Sequence, residues 1–181
     1  MIQQIPNVLS PEFCDMMIRY HKELKPFGED NKEDYRYEDA RTDMMVDAHP
    51  ELRPLLSKML IPYLKNYLAH FDLAIDDTFF EVSDYCAFEN SAGQPDHFDN
   101  FVIRKDGMSV RPVVLLAYLN DNFSDGLLIF KNQGEIVYPE RGKVVLFPSS
   151  FIYAHYVTQA SAPRYVMKVE MKVKKDLSYF F

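Results

Sequence analysis

Two hydrophobic periods divide the chain. Through about residue 71 apolar side chains recur every third or fourth position, and beyond residue 76 they alternate, which are the spacings of helices and of strands respectively. In "SPEFCDMMIRYHKEL", Phe13, Met16, Met17 and Tyr20 fall on one helical stripe. Ser10 can cap that helix, Pro11 suits its first position, and Glu12 favours the positive end of its dipole. A second helix is predicted in "HPELRPLLSKMLIPYLKNYLAHF", with Leu52, Leu55, Leu56, Met59, Leu60, Tyr63, Leu64 and Tyr67 as its stripe. Pro62 lacks an amide hydrogen and is expected to kink or split it. Between the two helices, Lys25 to Ala48 is polar and acidic, and reads as a long mobile loop with the length of a lid.

The alternating segments are short and separated by turn residues: "DTFFEVSDYCAF", "VRPVVLLAYL", "GLLIF", "GEIVYP", "KVVLFPS", "HYVTQA" and "RYVMKVEMKVKK". Helices first and many short strands afterwards predict an α+β domain whose strands form a sandwich or barrel. The last strand sorts its residues sharply. Tyr165, Met167, Val169, Met171 and Val173 lie on one face, and Arg164, Val166, Lys168, Glu170, Lys172 and Lys174 on the other. The apolar face can pack on the N-terminal helices, which leaves the polar face to solvent or to the inside of a barrel.

Composition narrows this picture without changing it. The 181 residues, 48% of them apolar and 26% charged, suit a single soluble domain over 1–181 with a real core. Fourteen Phe and twelve Tyr, with no Trp, favour sheet. A net charge of -7 disfavours nucleic acid and anionic membranes as partners. "MIQQIPNVLSPEFC" lacks the basic start and apolar run of a secretion signal, and no apolar run has the length of a membrane span. Cys14 and Cys86 show no paired spacing and read as buried thiols, so the expected setting is the cytoplasm.

The candidate chemistry starts in "GQPDHFDN". In an extended segment residues i and i+2 point the same way, so His97 and Asp99 can grip one ion. A third ligand must come from His21, His49, His70 or His155. His21 and His70 lie in predicted helices and His49 beside a helix start, whereas His155 heads a predicted strand in the β region and is the one expected here. Two histidines and a carboxylate on one face of an ion leave three octahedral positions open, the pattern of non-haem Fe(II) sites. Arg164 follows His155 across one tight turn and can hold a carboxylate through two parallel hydrogen bonds, with a phenolic bond from Tyr118 to the same group. The bland alternatives are a surface His–Asp pair and a core tyrosine.

Taken together, "HFDN", "RPVVLLAYLND", "FSDGLLIF", "YPERGKVVLFPSS" and "HYVTQASAPRYVMKV" resemble, in order and spacing, the 2-oxoglutarate- and Fe(II)-dependent dioxygenases, and above all their prolyl 4-hydroxylase branch. "IPNVLSPEFC" is similar to that branch's opening, and "ARTD", with Arg41 and Thr42, to a segment that meets substrate. The resemblance implies a double-stranded β-helix, or jelly roll, with N-terminal helices packed on one sheet. It implies His97, Asp99 and His155 as iron ligands, Arg164 and Tyr118 as the anchor for 2-oxoglutarate, and Arg111 on the substrate side. The implied cofactors are Fe(II) and 2-oxoglutarate, with ascorbate as auxiliary reductant. The implied reaction is hydroxylation of a C–H bond, foremost of a prolyl residue in a protein or peptide, with succinate and carbon dioxide as coproducts. A free amino acid, another small metabolite or a nucleobase is the alternative substrate, and a cupin-like metal-binding jelly roll without oxygenase chemistry the alternative class.

The chain departs from the family's pattern in three places. Asp125-Gly126 stands where relatives have Gly-Gly, and neither Tyr85 nor Phe88 matches a tyrosine that contacts the cosubstrate. Lys168 and Glu170 replace a small hydroxyl residue and a tryptophan. Lys168 is then expected to pair with Glu170, to touch the cosubstrate, or to help choose the substrate.

Overall fold

The computed structural model of the chain describes residues 1–23, 41–43, 51–71, 80–89, 91–99, 101–104, 107–110 and 113–173; of these, the side chains of 41–43, 80–89, 101–104, 107–110 and 170–173 are not described. Helix α1 spans Pro11–Glu23 and begins as its sequence predicts, with the Phe13 amide donating to Ser10 Oγ at 3.2 Å. Its buried residues are Phe13, Cys14, Met17 and His21. Helix α2 spans Leu52–Ala69 without a break and has Pro62 in its interior. The expected split at Pro62 does not occur. The lost bond and ring clash cost about 3 kcal/mol, whereas Leu60 and Leu64, on either side, are both buried, each burial worth about 1.5–3 kcal/mol. The stripe is also narrower than its spacing suggested. Leu52, Leu56, Leu60, Leu64, Tyr67 and Leu68 are buried, while Leu55 is exposed.

The strands form two main antiparallel sheets and a hairpin. In chain order they are β1 (Gln3–Ile5), β2 (Arg41–Asp43), β3 (Phe80–Glu89), β4 (Gln94–His97), β5 (Phe101–Arg104), β6 (Gly107–Val110), β7 (Val113–Tyr118), β8 (Leu128–Phe130), β9 (Glu135–Val137), β10 (Val144–Pro148), β11 (His155–Val157) and β12 (Tyr165–Val173). The larger sheet runs β1-β10-β7-β12-β3-β2, the smaller β4-β11-β8-β9, and β5 pairs with β6. From β3 onward the chain crosses repeatedly between the two main sheets, as a jelly roll requires. Part of the stretch expected to be a loop is strand: Arg41–Asp43 pairs with β3 at the sheet edge. The rest of the proposed lid lies outside the described residues.

The period-2 pattern explains the layering. On β7, Val113, Leu115 and Ala117 join β10, β12, α1 and α2 in one core, while Val114, Leu116 and Tyr118 join β8, β9, β10, β11 and Val166 in another. The six-stranded sheet is thus covered on both faces, which is why β7 reads as a nearly continuous apolar run. Tyr165, Met167 and Val169 face the helices, so Arg164, Val166 and Lys168 point between the sheets. The chain is an α+β double-stranded β-helix with its N-terminal helices packed on one sheet.

Candidate active site

The site sits where β4 and β11 meet. Their register places His97 directly opposite His155, with ring centroids 4.4 Å apart. Between His155 and Val157 the register slips, so that His97 to Gln94 is set against His155 to Val157. Pro95 and Asp96 are thus set against Tyr156 alone, and Pro95 has no amide hydrogen for a regular ladder. Phe98 turns outward and is exposed, which sends Asp99 back to the side of His97. One ligand atom each from His97, Asp99 and His155 lie within 4.8 Å of one another.

The hydrogen bonds fix what those atoms are. His97 Nδ1 lies 2.8 Å from the Pro95 carbonyl and His155 Nδ1 lies 3.0 Å from the Tyr153 carbonyl. A carbonyl only accepts, so both Nδ1 atoms carry the proton and donate, and each Nε2 of the neutral ring keeps a lone pair. His155 is buried, with Phe130 and Phe147 packed at 5.2 and 5.0 Å from its ring. Burial lowers its pKa, and the Asp99 carboxylate opposes that shift without reversing it. His155 Nε2 faces Asp99 Oδ2 at 3.6 Å. Two lone-pair groups held face to face, with a third nearby, repel unless a cation lies among them. That donor set, two imidazoles and a carboxylate, suits a divalent transition metal.

Asp99 has a second partner. Lys168 Nζ donates to its Oδ1 at 2.5 Å, and both side chains are largely covered. Burial on its own would raise the Asp99 pKa, but Lys168 and then His155 outweigh it and hold the carboxyl well below its usual range. The ammonium therefore goes to a candidate ligand; the Glu170 side chain, and with it the expected Lys168–Glu170 pairing, lies outside the described residues.

Arg164 is 1% exposed and lines a cavity of about 180 Å³ together with His97, Asp99, His155 and Lys168. Gln94 and the apolar side chains Val114, Leu116, Leu128, Phe147 and Val157 complete its wall. Burial lowers the Arg164 pKa, opposed by Tyr118, yet a guanidinium stays charged at any ordinary pH. Asn120 fixes its backbone: Nδ2 donates to the Pro163 carbonyl at 2.9 Å and Oδ1 accepts from the Tyr165 amide at 2.8 Å. The residues on either side of Arg164 are thus tied to one side chain. Gly126, at φ +62°, leaves room for the stem: a Cβ there would lie 3.1 Å from Arg164 Cδ. Asp125 shares the left-handed turn at φ +63°, which aspartate tolerates.

Tyr118 lies opposite Val166 on the neighbouring strand and is fully buried. Its hydroxyl has no hydrogen-bond partner among the described residues. Burial pushes its pKa up to about 12, opposed by Arg164. Tyr118 does not line the cavity wall itself. An orphaned hydroxyl beside a buried guanidinium suits an anionic ligand with carboxylate oxygens.

Other expected residues fall elsewhere. Arg111 and His49 lie outside the described residues, and Arg41 and Thr42 are described only as backbone of β2. His70 is the C-cap of α2, with Nδ1 donating to the Asn66 carbonyl at 2.8 Å, and His21 is buried edge-on to Tyr165. Sequence reasoning missed Asn120. Its only signal is a buried polar residue closing the apolar run of β7, which pattern alone does not distinguish from a turn.

A jelly roll with two histidines and a carboxylate in its mouth has the fold and donor set of a non-haem iron oxygenase. Residues 80–169 match the family described as the 2OG-Fe(II) oxygenase superfamily, and the chain belongs to that superfamily. No curated protein matches the chain significantly in sequence. Among solved structures it is similar to the viral collagen prolyl hydroxylase of Paramecium Bursaria Chlorella virus-1 in its 2OG complex, at 15% identity and TM-score 0.62 over 96% of both chains. It is also similar to a prolyl hydroxylase from Trichoplax adhaerens in complex with a hypoxia inducible factor peptide fragment, at 18% identity and TM-score 0.64, over 94% of this chain and 83% of that one. HygX from Streptomyces hygroscopicus, with nickel, 2-oxoglutarate and hygromycin B bound, matches at 13% identity and TM-score 0.67, over 96% of this chain and 83% of that one.

Proposed function

We propose that the protein is a 2-oxoglutarate- and Fe(II)-dependent dioxygenase that hydroxylates a prolyl residue of a protein or peptide. The observation that carries the reading is the convergence of two imidazole lone pairs and the Asp99 carboxylate in a cavity that also contains Arg164. His97, Asp99 and His155 hold the metal. Arg164, with Tyr118 beside it, holds the far carboxylate of the cosubstrate by charge-assisted bonds. Arg111 serves the substrate side. When bound, iron and 2-oxoglutarate supply the activation of dioxygen that couples decarboxylation to C–H hydroxylation, and ascorbate keeps the metal reduced. The chain's own contribution is placement. The backbone carbonyls of Pro95 and Tyr153 fix both ring tautomers, and the apolar wall around His155 excludes water.

The prolyl substrate is supported by two prolyl hydroxylases among the similar structures. A small-molecule substrate is the second reading, favoured by Lys168, whose charge the cavity presents beside the metal ligands. A cytoplasmic location is supported by the free, buried thiol of Cys14, and no helix among the described residues is long and apolar enough to cross a membrane.

The test is succinate release by purified protein with Fe(II), 2-oxoglutarate and ascorbate, against panels of prolyl peptides and small molecules. The wild type is expected to release succinate and to add one oxygen to a peptide, and Asp99→Ala and Arg164→Ala to abolish both. Oxygen added only to a small molecule selects the second reading. No turnover and no uncoupled decarboxylation sinks the oxygenase reading, as does an Arg164→Ala variant with unchanged activity.

A further inference from the structure

The Lys168–Asp99 pair has a consequence for how the metal is held. Lys168 is anchored in the middle of the six-stranded sheet, where its backbone pairs with Leu116 on one side and Cys86 on the other. Both ladders fix the backbone from which its side chain projects between the sheets. Arg164 lies four residues earlier on the same face, about 13 Å away along the strand. Both cations line one cavity, and Lys168 is the one bonded to the ligand cluster, through Asp99. A charged ammonium has three donors and no lone pair, so Lys168 is not a ligand itself. Its bond runs to Oδ1 of Asp99, while Oδ2 is the oxygen that faces His155 Nε2.

Resting on the function proposed above, we infer that Lys168 is a positioning residue that makes Asp99 a one-oxygen ligand. A carboxylate beside a divalent ion can offer one oxygen or two. With Oδ1 held by the ammonium, only Oδ2 turns to the metal. The coordination position that Oδ1 would have filled stays open for the chelating cosubstrate. In this chain an ion pair from a neighbouring sheet does the orienting, and the same charge adds to the anion-attracting field of Arg164.

The experiment compares the wild type with Lys168→Met and Lys168→Arg, using Mn(II) as a redox-inert probe. Three quantities are read: Mn(II) affinity, 2-oxoglutarate affinity of the Mn(II) protein, and the denticity of Asp99 in Mn(II)-loaded crystals. In the wild type Asp99 binds through one oxygen with Lys168 on the other. Lys168→Met is expected to bind Mn(II) at least as tightly, through both oxygens, and to lose about tenfold or more in 2-oxoglutarate affinity. Lys168→Arg, which keeps a cationic donor, restores one-oxygen binding and most of that affinity. The inference is overturned if Lys168→Met keeps one-oxygen coordination, if Asp99 leaves the metal in that variant, or if wild-type crystals show Lys168 away from Asp99. That last observation holds even if the methionine variant does not fold. A wild type that takes up no Mn(II) sinks the proposed function as well; a wild type that binds both ligands, with a variant that behaves the same, sinks only the role of Lys168.

Discussion

Single atoms decide the chemistry here, and Tyr118 shows how. Its buried hydroxyl has no partner among the described residues and its pKa stands at about 12, above the usual value of about 10 for a free tyrosine. Between those values the unfolded chain has released the proton and the folded chain retains it. Stability from the neutral phenol is therefore complete below about pH 10 and is lost as pH rises through about 12. Denaturation of the metal-free protein across that range should show the wild type losing up to about 2–3 kcal/mol that Tyr118→Phe does not lose. At neutral pH the phenylalanine variant should be as stable or slightly more so, because an orphaned buried group is removed, while its affinity for 2-oxoglutarate falls. Asn120 gives the opposite pattern. Asn120→Ala leaves the Pro163 carbonyl and the Tyr165 amide without their side-chain partner. It should cost about 1–3 kcal/mol in denaturation and also weaken 2-oxoglutarate binding, because the backbone on both sides of Arg164 is released. Both donors and acceptors were visible in the sequence as residue types. Which of them lacked a partner was not, since that depends on atoms from separate strands.

At the scale of elements, the β4–β11 pairing is the critical contact. Gly93, at φ +82°, enters β4 against β11, and a Cβ there would lie 2.6 Å from the Val157 carbonyl oxygen. Backbone, not a flexible side chain, would have to move. Gly93→Ala is therefore expected to push the strands apart, spoil the His97–His155 register and weaken Mn(II) binding by about tenfold or more, as read by titration. Gly134, at φ +64° with nothing within 4 Å of a Cβ, is the control. Gly134→Ala should carry the left-handed penalty of about 1–2 kcal/mol and leave metal affinity unchanged. Elements were also where the pattern was most legible: both helices and most strands follow from period and capping. It misled where packing overrides local preference. α2 continues through Pro62 because leucines on either side are buried, and Leu55 lies off the face that the sheet covers.

For the whole molecule, the two sheets divide the labour. The β4–β11 edge of the smaller sheet supplies His97 and His155, with Asp99 just beyond β4, while the larger sheet supplies Tyr118 and Lys168, with Arg164 just before β12. A metal and cosubstrate bound together would bridge the sheets. Saturation at a hundred times the dissociation constant stabilises the folded chain by about 2.7 kcal/mol per ligand. Thermal melts should accordingly show a rise with Mn(II), a further rise with 2-oxoglutarate only when Mn(II) is present, and loss of that second increment alone in Arg164→Ala.

The sequence by itself determined the helix–strand division, the alternation that gives each strand two faces, and the kinds of donor available, because these depend on neighbours a few residues apart. Tertiary structure decided that Arg164 and Lys168 look inward, that His155 meets His97, and that Lys168 reaches Asp99 across 69 positions of chain. Those contacts depend on strand register and on how two sheets stack. Local periodicity encodes neither, since it specifies which way a side chain points and not what it will find there.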